Sequence, residues 1–584
     1  MARDLRLLLF RTGLWGSFLA AVGTCYFLAG VAEYLGSPVV NLATACAAFL
    51  AALFFLYCFF LLLPRKNRLA LLLWFLIFGI LIAQIVLGSL PPTARDELTH
   101  HLALPKLYAK AGRILEVPFA LHSYYPMLLD MLYSPWVRWG WDSVPKQIHG
   151  LYGLLTGLLL YAHLGWRLSP IYGLLGFLVF ISTPAVFRLG HWAYVDLGLT
   201  FYSTASLLCL LQWMEAKETK SWLLLAGLSA GFALATKPNG LLVFFLLVLL
   251  FSFALAREKE SRFWRTARRA LLFMLLALVP FSPWMMKTLL QTGNPLFPLF
   301  GGASEGGPEG LGIFGRRFFL YGETWLEIAA LPLRVFFSGQ DDKPQYFDGV
   351  LNPILILFLP WVFKGKWLGE KKIFLAFSLL YFLYGLFLVE MRIRYILPIV
   401  PPLVILLIYG MHNVYLRIAR PLWLFAIVII LLALNGFYAW KDFRANSPLG
   451  YLQGRESREA YLSRFLPEYP TIRYLNHNLP SSARVYFLFT GRRVYYCDCD
   501  YFYDSAENPW LLLRMIQRAR NQDDIRVELQ KKGLTHFLVR EALIKRFLDN
   551  NLTSEQQKLW YSFAGQHLEG VFHSGGYSLY HIHG

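Results

Sequence analysis

The chain reads as a polytopic α-helical membrane protein of about thirteen transmembrane helices, followed by a C-terminal α/β domain outside the cytoplasm. Three observations predict this. Hydrophobic residues fill 57% of the 584 positions and charged residues only 16%, with a mean hydropathy of +0.46. A soluble protein of this size could not hide so much apolar side chain, because about half of its surface must face water. Apolar runs long enough to cross a hydrocarbon core recur from Leu14 to Tyr438. After Tyr438 the composition changes to that of a soluble module.

By length and apolarity the expected spans are 14–32, 42–63, 69–90, 148–164, 171–187, 195–213, 222–235, 241–256, 270–290, 350–363, 373–389, 395–409 and 422–438. The loops between them alternate in charge. One set carries Arg3, Arg6 and Arg11, then Arg65, Lys66 and Arg68, then Arg167, then Lys217 and Lys220. It continues with Arg257, Lys259, Arg262, Arg265, Arg268 and Arg269, with Lys364, Lys366, Lys371 and Lys372, and with Arg417 and Arg420. Short loops rich in Lys and Arg stay cytoplasmic. The net charge of +19 is therefore a topology signal, and nucleic acid is not needed to explain it.

That orientation puts loop 91–146, loop 291–349 and the tail outside. The expected organisation is an N-terminal transmembrane hairpin (1–68), a transmembrane catalytic domain (69–438) and a soluble extracytoplasmic domain (439–584). The first apolar run is too long for a signal peptide and lacks a small-residue cleavage site after it. Within loop 91–146, stretches 98–112 and 124–140 show helical spacing of apolar residues and read as amphipathic helices in the interface plane. Loop 291–349 includes the glycine-rich stretch 301–310, which suits a mobile lid. In the tail, 484–490, 493–496, 535–539, 568–573 and 577–582 read as strands, and 509–519 and 525–532 as helices. Cys497-Asp498-Cys499 lies outside, too closely spaced for an easy disulfide and short of ligands for zinc, and carries no assigned function.

The chemistry-bearing residues collect at the outer ends of the spans. Pro91-Pro92-Thr93-Ala94-Arg95-Asp96-Glu97-Leu98-Thr99-His100-His101 follows the third span. Asp196 begins a later one, Lys237-Pro238-Asn239-Gly240 breaks the helix between two short spans, and Arg392-Ile393-Arg394-Tyr395 precedes another. A transfer from a phosphate leaving group needs cations for the departing charge and a base for the acceptor proton. Lys237, Arg392 and Arg394 can supply the first, and Asp96, Glu97, His100, His101 and Asp196 the second. At i,i+4 spacing, Asp96 shares a helix face with His100, and Glu97 with His101. Each histidine can orient its carboxylate, or a pair such as Glu97 and His101 can hold a divalent metal given further ligands. The bland alternatives are dipole-favoured acids at a helix start and a lysine snorkelling to the interface.

These motifs, in this order and on this side, resemble the GT-C superfamily of integral-membrane glycosyltransferases. The nearest resemblance is to the protein O-mannosyltransferases, the lipid A aminoarabinose transferase and bacterial lipopolysaccharide-core transferases. It covers about residues 69–409 and, more loosely, the tail. The resemblance implies a polyprenyl-phosphate-sugar donor and a glycolipid, glycan or protein acceptor, with Asp96 as general base. Glu97 and Asp196 would join it in catalysis, and His100, His101, Lys237, Arg392, Arg394 and Tyr395 would bind substrate. No cofactor is required, a divalent metal being the one candidate. The protein would sit in the cytoplasmic membrane among its lipids, with its site on the periplasmic or extracellular side. The N-terminal hairpin departs from the simplest family pattern, in which the acidic loop follows the first span. A transporter or flippase of lipid-linked sugars is the main rival, but transporters favour internal repeats and mid-membrane polar sites. A non-catalytic membrane receptor is the other.

Overall fold

The computed structural model describes residues 2–35, 67–216, 219–257, 263–299, 313–364, 369–387, 391–417, 422–504 and 510–583, together with 46, 50, 53, 54, 56, 57 and 60. The chain forms two compact units. One comprises Met1–Ser89, Gly112–Ile114 and Tyr125–Pro448, the other Leu90–Ala111, Leu115–Tyr124 and Leu449–Gly584. Loop 91–146 gives two of its segments to the unit that holds the tail.

The first unit is a helical bundle. Among the described residues, seven helices are long and apolar enough to cross a membrane, and three shorter apolar helices (Pro170–Ser182, Lys220–Thr236 and Gly240–Ala256) accompany them. The expected span 42–63 lies largely outside the described residues, as does stretch 301–310. Stretch 350–363 does not form one helix. It breaks into Ile354–Leu357 and Leu359–Val362, because Pro353 and Pro360 each lack the N–H that a continuous helix would use. Pro184 likewise divides 171–187 into Pro170–Ser182 and Pro184–Leu189.

Helix Asp196–Glu215 is the axis of this unit. In its apolar window 94% of residues are buried, against 17% for the helix over Trp423–Asn446, which leaves most of its surface free for lipid. Close approach of neighbouring helices depends on small residues. A Cβ on Gly231 would stand 2.2 Å from the Ala277 carbonyl oxygen and 2.8 Å from Pro280, so helix Lys220–Thr236 can lie against Phe263–Thr292 only with glycine there.

A charged cluster ties three helices at one end of the bundle. The Arg167 guanidinium reaches both Glu215 and Glu370 and stacks 3.9 Å from the Trp166 ring. Glu370 is 4% exposed and also accepts from the Tyr409 hydroxyl at 2.6 Å. Removing one partner of a buried pair strands the other charge, at about 3–5 kcal/mol. Arg167→Met should therefore lower the thermal midpoint in detergent by several degrees, and Glu370→Gln by less. An unchanged midpoint in Arg167→Met would refute that role.

The second unit contains a five-stranded sheet: β1 (Arg484–Leu488), β2 (Asp500–Phe502), β3 (His536–Arg540), β4 (Leu568–Ser574) and β5 (Tyr577–Ile582), in the order β2-β1-β3-β5-β4. β1 runs parallel to β2 and β3, and β5 antiparallel to β3 and β4. Four of the five expected strands appear. Stretch 493–496 is not one of them; its backbone turns, and the Val494 and Tyr495 N–H groups both donate to the Leu98 carbonyl at 3.1 Å. Tyr486, Leu488, Phe537 and Ile582 from one face of the sheet pack with Leu512, Ile516, Leu529 and Phe563 from the helices.

Candidate active site

In the bundle, four of the residues singled out by sequence converge. Asp196 opens helix Asp196–Glu215, where an acidic side chain is favoured by the dipole. The helix start is held by His149. Its Nδ1 lies 2.9 Å from the Leu189 carbonyl and 2.8 Å from that of Trp192, so it carries the proton. Nε2 is left to accept from the Leu197 N–H at 2.9 Å, satisfying one of the donors that a helix start leaves free.

Lys237 closes helix Lys220–Thr236 in an extended conformation (φ −161°, ψ 149°), as a residue before proline prefers. Gly240 then begins the next helix so close that an added Cβ would lie 2.1 Å from the Ala233 carbonyl oxygen. This tight turn carries the Lys237 ammonium to Asp196, where it donates to Oδ1 at 2.7 Å. The Asp196 side chain is 1% exposed and that of Lys237 17%. The other carboxylate oxygen, Oδ2, is buried and has no hydrogen-bond partner among the described residues.

Arg394 lies within electrostatic range of Asp196. Its guanidinium carbon sits 5.1 Å from the Tyr395 ring centre and 5.4 Å from that of Tyr194, while Lys237 Nζ is 5.0 Å from the same Tyr395 ring. Tyr395 thus presents its electron-rich face to two cations. Arg392 points elsewhere, donating to Asp348 at 3.3 Å. The arrangement is a desolvated anchor with two positive charges and a carboxylate oxygen to spare.

The acidic loop lies in the second unit. The helix expected over 98–112 is divided: Glu97–His101 is a π-turn and Ala103–Ala111 an α-helix. The Leu102 N–H bonds to the Glu97 carbonyl at 2.9 Å, and such turns recur at functional sites. Asp96 is half-buried at the head of the turn. Glu97 is fully buried, and its Oε2 accepts from the Thr93 and Ala94 N–H groups at 3.1 and 2.9 Å. It acts as the local cap of its own turn. Glu97 and Asp96 thus differ in setting although they adjoin in sequence.

His100 stacks on His122 with ring centres 4.0 Å apart, meets the tilted His101 ring at 4.1 Å, and its Nδ1 lies 2.8 Å from the Thr99 hydroxyl. Lys106 fixes the loop to the tail. Its ammonium donates to the Tyr495 and Cys497 carbonyls and, at 2.6 Å, to Asp498. The Tyr496 hydroxyl adds a bond to the Pro92 carbonyl at 2.8 Å. Burial raises the pKa of the Tyr461 hydroxyl, against a lowering by Arg464 and with a further rise from the charge of Glu97. Cys497 and Cys499 are free thiols. Among the described residues, Glu97 and His101 belong to no group of three or more metal-ligating side chains with converging donor atoms.

Sequence reasoning missed His149 and His122. Each is a single histidine outside any motif, and only the folded chain brings it to the groups it touches.

Residues 146–291, which include Asp196 and Lys237, match the family model of the dolichyl-phosphate-mannose-protein mannosyltransferases. No curated protein matches the chain. Among solved structures, the chain is similar to ArnT from Cupriavidus metallidurans, both in the apo state and bound to undecaprenyl phosphate. In each case the TM-score is 0.53 at 14% identity, covering 87% of this chain and 97% of that one. An oligosaccharyltransferase from Archaeoglobus fulgidus, in complex with Zn and sulfate, matches at a TM-score of 0.46 and 13% identity over 85% of this chain and 71% of that one. Residues 146–291 thus carry the pattern of that mannosyltransferase family, and the fold of ArnT is shared along most of the chain.

Proposed function

We propose that the protein transfers a sugar from a polyprenyl-phosphate donor to an acceptor hydroxyl, with Asp96 as general base. The observation that carries this reading is the buried Lys237–Asp196 pair with Arg394 beside it. Two cations in a desolvated setting suit a lipid phosphate; Lys237 lies in the segment that matches a lipid-phosphate-sugar family, and Arg394 lies within electrostatic range of Asp196 in the same segment. One of the similar structures holds undecaprenyl phosphate, which supports a donor of that class.

In the proposed reaction, the Asp96 carboxylate removes the proton of the acceptor hydroxyl. The freed oxygen attacks the anomeric carbon from the side opposite the phosphate, and the carbon–oxygen bond to the phosphate breaks. A single displacement of this kind inverts the anomeric centre. Lys237 and Arg394 take up the charge that develops on the departing phosphate, where fixed cations in a dry site act most strongly. Asp196 keeps the Lys237 ammonium in place, and Tyr395 orients both cations. Glu97 shapes the turn that carries Asp96, and His100 and His101 on the same turn would bind substrate.

The alternation of loop charge supports an extracytoplasmic site in a cytoplasmic-membrane protein of about thirteen spans. The soluble domain would lie on the same side. Mass spectrometry of surface glycolipids and glycoproteins from a strain lacking the protein tests the reading and names the acceptor. One sugar should disappear from one class of acceptor and return when the gene is restored. An unchanged glycan profile would overturn it.

A further inference from the structure

The second unit closes with a hairpin that gathers metal-ligating side chains. β5 ends in Tyr580-His581-Ile582, with His583 next. Ile582 turns into the helix-covered core. By the alternation of a strand, His581 and His583 therefore leave by the opposite face. Glu569 on β4 stands directly across from His581 in register.

Three donors consequently meet. His583 Nε2 lies 2.9 Å from a Glu569 carboxylate oxygen, and the His581 and His583 rings are centred 4.8 Å apart. One ligand atom from each of the three side chains lies within 4.8 Å of the other two. His583 is also held through its backbone, its N–H bonding to the His567 carbonyl at 2.8 Å. His536 faces His581 from β3 with ring centres 4.9 Å apart and walls the cluster on its inner side. A histidine–glutamate hydrogen bond would account for Glu569 and His583 alone. It leaves the second imidazole, converging on the same point, without a role.

We propose that Glu569, His581 and His583 form a binding site for a divalent transition-metal ion, with Zn2+ the best fit. Two imidazoles and one carboxylate are a donor set that such ions favour, the remaining position being filled by water. Ligand bonds of about 2.0–2.2 Å require the donors to close to roughly 3.3 Å from one another. The side chains have room to do so, since Glu569 is 63% and His583 48% exposed. The ion would staple the last strand of the sheet to its edge strand β4. The site is independent of the transfer chemistry, so the two proposals fail or stand separately.

The test is Zn2+ binding by the full-length protein in detergent, stripped with chelator and then dialysed against Zn2+, with metal per chain read by elemental mass spectrometry. His581→Ala/His583→Ala should hold one ion fewer than wild type, and Glu569→Gln should bind that ion at least about tenfold more weakly. His477→Ala, at an exposed histidine on helix Tyr469–Asn478, should match wild type. Equal zinc content in wild type and the double variant overturns the site. Should the double variant lose its fold, histidine modification of the wild type decides instead. Zn2+ should protect His581 and His583 from diethyl pyrocarbonate and leave His477 reactive, and equal modification with and without Zn2+ rejects the proposal.

Discussion

Asp96→Asn should reduce sugar transfer by about 10²–10⁴-fold, the range that a positioned general base contributes. Asparagine has the shape of aspartate and can still accept a hydrogen bond, but it cannot take a proton at neutral pH. The half-buried position at the head of the π-turn tolerates it sterically, so the thermal midpoint should stay near wild type. Donor binding should also survive, because the phosphate is assigned to Lys237 and Arg394. The contrast is Glu97→Gln. That carboxylate is buried and accepts two backbone N–H bonds, and charge-assisted bonds of this kind contribute about twice what neutral ones do. Its loss should cost stability first and activity through the loosened turn. Product formed from a labelled polyprenyl-phosphate sugar, measured beside lipid-phosphate competition binding, separates the two. Full turnover in Asp96→Asn would remove it from the role of base.

The difference between Asp96 and Glu97 was beyond sequence reasoning, and the reason is local. An α-helical register over 96–101 treats the two acids as adjacent positions with equivalent histidine partners. In the folded chain a π-turn starts at Glu97, and the Glu97 carboxylate reaches back to the N–H groups of Thr93 and Ala94 as a cap. Period and propensity do not report a single widened turn. The anchoring of that loop by Lys106 to Asp498 and its neighbours was equally hidden. It joins residues almost four hundred positions apart, and no pattern within either segment points to the other. By contrast, the Lys237-Pro238-Asn239-Gly240 break was legible because proline and glycine constrain the backbone wherever they occur. β1, β3, β4 and β5 could be read from alternation. Stretch 493–496 could not, because its aromatic residues look like a strand while its N–H groups are spent on Leu98. The helical class followed from composition. The breaks at Pro184 and Pro360 fall inside two of the expected spans, and composition alone does not report them.

The Asp196–Lys237 pair allows stability and catalysis to be separated by experiment. Lys237→Met retains the aliphatic length and removes the charge, leaving a carboxylate that is 1% exposed without its ammonium. Stranding a buried charge in this way costs about 3–5 kcal/mol, so the single variant should be unstable in detergent as well as inactive. Asp196→Asn/Lys237→Met removes both charges and keeps the volume. Replacing a buried pair by neutral groups is often close to neutral for stability, so the double variant should recover most of the lost thermal midpoint. It should not recover transfer, because the cation assigned to the lipid phosphate is still missing. If Lys237 serves only to neutralise Asp196, the double variant should instead regain activity together with stability, and that outcome would remove Lys237 from the donor site. Lys237→Arg sharpens the comparison. Arginine keeps the charge but presents a planar fork in place of a compact ammonium, so it should retain the fold and only part of the transfer rate. Transfer and thermal midpoint measured together on these three variants would show whether this buried cation holds a phosphate or only a helix.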